Sequence, residues 1–578
     1  MYTGPRLILL LENQHQARSQ SGLFKKGTFT LQWRAKVGSF PHPDLETLVS
    51  AGEPCGAWSP SNGRPEVKRN VDDNWKQLAE LPLNGYIPSS SIRGLVRAWA
   101  KQRPEIKPRM YELLGYQEDN TISAGKIEFL DAWPEQPTKL TLDIVNPQQS
   151  FQVYHQGQGT PLSFYTLGKG AEPISLTVAI RGIPSRATEL EVEEVWSWVQ
   201  QALSLYGVGS RTASGYGTLK SASSLQLDSD PDYSIKQFDF SLKSQGSAGP
   251  NTGTMELRPS HWRGWLRSWV LRFLLGVMSK DDALTTLGEL LGILEPVSCK
   301  GCVRLQMFKG QTWGEHSTNQ PNFYAWKGKL LLSAPSDTLN QIILPIIRFA
   351  VSMGGVGRGW RRPLHIFHMN NGRAAARGSH LGLTHRVRNQ NTGELEIKPY
   401  RLPPEQSTLW AKTYEKWLAA VQAKWPKRIN QGANDRLSAE VFSPSTCAVY
   451  AVPGPIEEPI DRKQLCWNQT NAEETRGDGM YLIYQKTFPR NYKRNPDLGG
   501  NAAGGGNAHC SWVSIRRVDI PHRQEETDCQ EIVCLFMGGE TPQSDHVRSR
   551  FLGDLAKISG AVHLFGVQPP APIPQTTA

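Results

Sequence analysis

Two glycine-rich stretches hold the residue types best suited to chemistry in this chain. Residues 207–217 read GVGSRTASGYG, and residues 354–362 read GGVGRGWRR. Missing Cβ atoms let such a backbone approach another backbone or a phosphate chain closely. Backbone amides with Arg211, Arg358, Arg361 and Arg362 are suited to phosphate oxygens. Tyr216, Trp360 and Trp58 would stack on bases where exposed and pack in a core where they are not. The first stretch contains GxGxxxxxG, but both loops follow a helical pattern. A dinucleotide fingerprint leaves a strand and opens a helix, and the GK[ST] of a P-loop is absent. The loops therefore read as close-approach elements against an extended ligand.

A second constellation is PSSSIRGLVRAW at 88–99. Ile92, Leu95, Val96 and Trp99 fall on one helical face, with Arg93 and Arg97 in a stripe beside them. Serines 89–91 stand where an N-cap is expected. Two arginines at a helix start could hold phosphates, or could equally be solvated or paired with carboxylates. The only CxxC is Cys299 and Cys302; zinc would need two more ligands, and none lies nearby in sequence, so ordinary thiols are expected.

A chain of 578 residues exceeds one hydrophobic core, so two or more domains are expected. The hydrophobic fraction of 38% and charged fraction of 20% fit a folded protein, and no run reaches membrane-spanning length. The N-terminal residues lack a cleavable-signal pattern, which points to the cytoplasm. A net charge of +11, from 64 Lys+Arg against 53 Asp+Glu, is compatible with a polyanionic partner without identifying one.

The elements that must position these residues follow a repeating order. After an expected strand at 7–11, Phe29, Leu31, Trp33, Ala35 and Val37 alternate with polar residues, the period of a half-buried strand. A long polar loop at 38–73 holds Asp44, Asp72 and Asp73. Then come the helix at 88–99, a strand at 125–132, strands at 140–145, 163–166 and 176–180, a helix at 192–206, the glycine loop, and a strand at 218–221. That is the outline of a ferredoxin-like unit, two β-α-β halves in one antiparallel sheet. The same order returns: Arg263, Gly264, Arg267 and Trp269 correspond to Arg93, Gly94, Arg97 and Trp99, and LLG at 290–292 repeats LLG at 113–115. The expected architecture is α+β, with tandem ferredoxin-like domains and a large insertion in the second. Expected boundaries are 1–235 for the first domain, 236–373 for the first part of the second, 374–515 for a loop-rich insertion, 516–567 for completion of the second domain, and 568–578 for a disordered tail.

PSSSIRGLVRAW, GKIEFLDAWP, DIVNP and GVGSRTASGYG together resemble the RAMP superfamily of CRISPR proteins. They are most similar to backbone and capping subunits of Cmr- and Csm-type, type III effector complexes. A fusion of two such domains resembles the multi-domain subunits of type III-D-like complexes. The resemblance implies a structural subunit that holds crRNA for pairing with target RNA in antiviral defence. Its partners would be crRNA, target RNA and other effector subunits in a hetero-oligomeric filament, with no membrane. Sequence recognition would then be delegated to base pairing, the protein contacting shape and backbone. The residues implied to line the RNA groove are Arg93, Arg97, Gly207, Gly209, Arg211, Thr212 and Tyr216 in the first half. In the second half they are Arg263, Arg267, Gly355, Gly357, Arg358, Arg361 and Arg362.

Some relatives in this family also cleave target RNA with an aspartate of the loop after the first strand. That alternative makes the chain a metal-dependent endoribonuclease in which Asp72, Asp73 or Asp44 binds Mg²⁺ and steers attack by the 2′-OH. The equivalent loop at 243–256 has Glu256 as its only acid, so the second domain is expected not to cleave. Precursor processing would fall to His42 or His261. A scaffold making only interprotein salt bridges is the third class.

Overall fold

The computed structural model describes residues 4–570 apart from 38, 42–47, 51–53, 58–65, 69–74, 78–79, 119–120, 146–148, 155–161, 171, 222–232, 245–246, 249–254, 294–298, 313–323, 358, 369–373, 390, 431, 456–474, 486–491, 501–509 and 520–528. Two compact units divide the chain. Unit 1 takes 1–146, 160–230 and 248–260; unit 2 takes 147–159, 231–247 and 261–578.

Unit 1 begins with α1 (Gly4–Ala17), where a strand was expected at 7–11. The run of leucines buries only one helical stripe, Ile8 and His15 with Leu11 packed beside them, leaving Leu7, Leu9 and Leu10 exposed. Strand β1 (Phe24–Leu31) follows, then β2 (Pro54–Ala57), β3 (Glu80–Asn84), α2 (Ser89–Ala100) and α3 (Lys107–Leu114). Next come β4 (Ile127–Phe129), β5 (Lys139–Val145), β6 (Leu162–Leu167), β7 (Ile174–Gly182), α4 (Glu189–Tyr206) and β8 (Leu219–Ser221). The main sheet runs β4-β7-β1-β8 with every neighbour antiparallel. Numbering the strands of the β-α-β-β-α-β unit in chain order, this reads second, third, first, fourth, the ferredoxin-like arrangement. Helices α2 and α4 seal it: Ile92, Val96 and Trp99 join Val192, Val195, Val199 and Leu203 in one core with Phe29, Leu31 and Val178.

The alternation expected at 29–37 outlasts the formal strand. Trp33, Ala35 and Val37 are all at most 1% exposed, and Ala35 bridges to Leu167. Strands β5 and β6, expected in the same sheet, instead form a second one with β2 and β3, in the order β2-β6-β5-β3. This second sheet covers the other side of the 32–37 stretch, so Arg34, whose alternation phase pointed outward, is buried.

The serines of α2 do not cap it. Pro88 takes the N-cap position in an extended conformation, and the Ser89 N–H donates to Asp131 Oδ1 at 2.7 Å. The acid of the FLDAWP segment thus satisfies an otherwise unpartnered amide at this helix start. By contrast, α4 opens on a full capping box between Thr188 and Glu191.

Unit 2 contains β9 (Tyr233–Ser244), most of α5 (Pro259–Leu275), α6 (Lys280–Leu291), β10 (Arg304–Thr312), β11 (Tyr324–Pro335) and α7 (Leu344–Met353). After these come β12 (Ser379–Arg388) and β13 (Leu395–Pro399). Their sheet runs β10-β11-β9-β12-β13, all antiparallel. Its first four members again read second, third, first, fourth. The fourth strand, β12, lies within 374–515, so that segment supplies part of the repeat as well as the loop-rich stretch expected there.

Further elements are α8 (Ser407–Lys424), β14 (Cys447–Pro453), α9 (Asp478–Tyr484), β15 (Val513–Asp519), β16 (Cys529–Phe536), α10 (Val547–Ala556) and β17 (Val562–Gly566). The C-terminal strands pair with β14 in a sheet of their own, ordered β15-β16-β14-β17, rather than extending the sheet of β9. With α9 and α10 between them, they form a further β-α-β-β-α-β arrangement, again in the order second, third, first, fourth. Met480, Ile483, Phe551, Leu552 and Leu555 close its core on Val513, Ile515, Val533 and Leu535. Helix α8 buries Trp410, Tyr414, Trp417 and Val421, one stripe of the amphipathic pattern read there. No helix among the described residues is long and apolar enough to cross a membrane.

Candidate nucleic-acid interface

The first glycine loop is built as a rigid extension of the sheet. Four backbone hydrogen bonds lace it: Gly217 N to Arg34 O at 2.7 Å, Ser210 N to Lys36 O at 2.7 Å, Gln32 N to Thr218 O at 2.9 Å, and Val208 N to Gly217 O at 2.9 Å. Glycine is required at two points above all. At Gly209, with φ of +85°, a Cβ would lie 2.3 Å from the Lys36 carbonyl oxygen; at Gly217, with φ of +65°, it would lie 1.9 Å from that of Val208. Gly209→Ala is expected to lower the stability of unit 1 by about 1–3 kcal/mol through left-handed strain and this collision. A denaturant melt reads the loss, and an unchanged midpoint would show that the lacing is soft.

Arg211 stands at the exposed tip with φ of 58°, a left-handed conformation. Its guanidinium lies 5.6 Å from the Phe164 ring centroid, and Lys36 Nζ lies 4.3 Å from the same centroid. Two cations thus converge on one ring at the loop. Alongside runs a groove of about 330 Å³ lined by Ser91 and Leu95 of α2 and by Gly209 and Ser210 of the loop. Among the described residues its lining has hydroxyls and backbone but no carboxylate, a surface suited to a sugar–phosphate chain.

Beneath the loop sits a buried charge cluster. Asp143, of the DIVNP segment, is fully buried and accepts from Arg258 Nη2 at 2.7 Å and from the Tyr216 hydroxyl. Glu256 accepts from Arg34 Nε at 2.8 Å and from the Trp33 indole. Arg34 also donates to Thr141 Oγ1 at 2.8 Å and Thr166 Oγ1 at 3.0 Å. Burial alone would raise the Asp143 pKa, but the charges of Arg258 and Arg34 and the Tyr216 hydrogen bond hold it below the usual carboxylate value.

Residues 84–220, which span α2, Asp131, Asp143 and the loop, match the RAMP superfamily. The match covers less than half of the chain. Solved structures similar at low identity include two CRISPR proteins. The crystal structure of Cmr6 from Pyrococcus furiosus is 21% identical, with 35% of this chain and 98% of that one covered and a TM-score of 0.18. A chain of a Type IV-B CRISPR complex is 16% identical, with 35% and 92% covered and a TM-score of 0.19. No curated protein matches the chain.

Within the RAMP segment, Gly207, Gly209, Arg211 and Thr212 share the loop beside the groove. Tyr216, expected to face RNA, is instead enclosed at 1% exposure, its ring 4.5 Å from that of Trp33 and 5.9 Å from that of Phe164. Its hydroxyl finds Asp143 from inside, so the residue anchors the loop. Arg93 and Arg97 turn to the end of α3. Arg93 donates to the Leu114 carbonyl and Arg97 to that of Gly115. Outside the segment the pattern repeats, Arg263 donating to Leu291 O and Arg267 to Gly292 O at 2.8 Å. Both helices end on a positive-φ glycine, Gly115 at 74° and Gly292 at 79°. The paired arginines thus satisfy last-turn carbonyls and offset the negative end of the helix dipole. Burial, then the Arg267 charge, pushes the Arg263 pKa down to about 10.

The second glycine loop differs more. Gly355 packs against Ser379, and Gly357 against the His261 ring. Arg361 and Arg362, expected to meet phosphates, are internal struts. Arg361 is 7% exposed and pairs with Glu440 at 2.5 Å, while Arg362 donates to Val513 O at 2.5 Å and Ser511 Oγ at 2.9 Å. Trp360 is half-buried, 6.0 Å from Trp269. Asp44, Asp72, Asp73, His42, Trp58 and Arg358 lie outside the described residues. Cys299 and Cys302 are free thiols, and no group of three or more metal-ligating side chains occurs among the described residues.

Sequence reading missed Lys36, Arg34, Glu256 and Arg258. Glu256 had a signal, being the sole acid of its loop. Lys36 and Arg34 carried none, because both fell in the outward phase of a strand.

Proposed function

We propose that the chain is an RNA-binding structural subunit of a type III CRISPR ribonucleoprotein, holding guide RNA for pairing with target RNA. The first RAMP module would guide the sugar–phosphate backbone along the groove between α2 and the glycine loop. The sheet of β9 to β12 is read as a second such module in tandem. The reading is carried by Arg211, an exposed cation at the tip of a backbone-laced loop, beside a groove with no carboxylate among its described lining residues and over the ring that Lys36 shares.

Arg211→Glu tests it. Binding of a labelled single-stranded RNA is expected to weaken at least about tenfold, with the salt slope falling by about one. The denaturation midpoint should hold, since Arg211 has no carboxylate partner among the described residues and rests only against a ring face. Undiminished RNA retention by the variant, or a native complex that purifies without RNA of defined length, would overturn the proposal.

A further inference from the structure

Strand β13 is the last member of the unit 2 sheet, and among the described residues its outer edge pairs with nothing. Strand β9 pairs with β12 from Ser379 to Thr384, and β13 pairs with β12 from Thr384 to Arg388. The sheet thus ends in a two-stranded ribbon, which is marginal in water by itself. Two large apolar residues stand in the open on β13, Leu395 at 63% exposure and Ile397 at 67%. Arg388 and Arg386 face them across the pair. Asn389 N donates to Glu394 O at 2.8 Å and Tyr400 N to Leu383 O at 2.7 Å, so the even-numbered residues of β13 turn their backbone groups to β12. Leu395 and Ile397 therefore turn N–H and C=O outward, and Pro399 its carbonyl alone. Such an edge pairs with another chain unless something blocks it, a lone lysine being a common block. Here Lys398 is not alone: it pairs with Glu396 at 2.9 Å.

We propose that this edge pairs antiparallel with the same edge of a second copy of the chain, Ile397 lying on the two-fold axis. The strand sequence LEIKP is self-complementary in that register and in no neighbouring one. Ile397 exchanges both backbone bonds with its twin, and each Leu395 amide meets a Pro399 carbonyl. Glu396 of each copy comes opposite Lys398 of the other, in the non-hydrogen-bonded pair whose side chains lie closest. Together with the pair already present in each strand, glutamate and lysine then alternate around a ring of charges. On the other face Leu395 and Ile397 of both copies form one apolar strip, rimmed by Arg386 and Arg388. Sliding the strands by two residues either way sets Glu396 against Glu396 or Lys398 against Lys398, so charge fixes the register. The interface is isologous and closed, which stops the pairing at a dimer.

Sedimentation of the full chain, freed of nucleic acid, tests this. The parent is expected to pass from monomer to dimer as its concentration rises to about 100 μM, the range of a small interface. Ile397→Lys, at an exposed position, puts like charges on the axis and is expected to leave a monomer with the parental denaturation midpoint. Glu396→Lys and Lys398→Glu each set like charges opposite one another, and each variant alone should dimerise at least about tenfold more weakly. Mixed in equal amounts, the two restore opposite charges at every pair, and a mixed dimer should form with parental affinity. A role of these residues in folding alone cannot produce that rescue. A parent that stays monomeric overturns the proposal and leaves the edge to a different chain. A dimer that survives Ile397→Lys, or single variants that gain nothing on mixing, overturns it as well. Because nucleic acid is absent, the result stands independently of RNA binding at Arg211.

Discussion

Asp143→Ala is expected to destabilise unit 1 by about 3–5 kcal/mol, since it removes the nearest countercharge of buried Arg258 and leaves Glu256 to serve two guanidinium groups. Asp143 is 0% exposed and Arg258 6%, so water cannot replace the lost carboxylate. Its loss also strands the Tyr216 hydroxyl and with it the inner anchor of the glycine loop. Tyr216→Phe should cost only about 1.5–3 kcal/mol, one hydrogen bond to a charged group. Urea denaturation of unit 1 distinguishes the two. The pH dependence follows from the depressed Asp143 pKa. A carboxylate whose folded pKa lies below its unfolded value of about 3.9 contributes stability that is complete above that value and lost as pH falls through the folded pKa. The gap between parent and Asp143→Ala should therefore be widest near neutrality and narrow in acid. An equal midpoint for the two proteins at neutral pH would contradict this account.

Glu440→Ala is expected to have a comparable or larger effect on unit 2. Glu440 is fully buried and holds two arginines at once, Arg272 Nε at 2.7 Å and Arg361 at 2.5 Å. Arg272 is itself 0% exposed. Burial lowers the Arg272 pKa, and the Glu440 charge works against that loss. Without the carboxylate, two guanidinium groups remain in an interior packed with Trp269, Trp360 and Phe536. The loss should reach at least about 3–5 kcal/mol, with Glu440→Gln intermediate because its amide oxygen can still accept. Soluble yield and the denaturation midpoint measure it, and a parental midpoint in Glu440→Ala would show that the arginines find other partners.

The local elements were legible where a period was present. Residues 29–37 alternate cleanly, and α2, α4 and α8 each show a stripe at helical spacing. The glycine loop was legible as a close-approach element, and φ values at Gly207, Gly209, Gly215 and Gly217 give the reason. The third β-α-β-β-α-β arrangement was not. Its strand β14 is buried on both faces, so CAVYAV shows no alternation, and α9 has only seven residues. Nor could the sequence say what an arginine meets. Arg361 and Arg362 follow a glycine loop just as a phosphate binder would, yet Glu440, which decides the matter for Arg361, lies far along the chain. Arg93 and Arg97 formed the predicted stripe, but only the placement of α3 reveals that it faces carbonyls.

The segment 248–260 gives unit 1 a delayed completion. Its sheet is closed by β8 at Ser221, but Glu256 and Arg258 arrive later in the chain. Cutting the chain after residue 235 would therefore take a countercharge from Arg34 and from Asp143 while leaving every strand of that sheet in place. On the ribosome the same ordering makes synthesis a clock: the sheet emerges first, and the residues that fasten the core beneath the glycine loop come last.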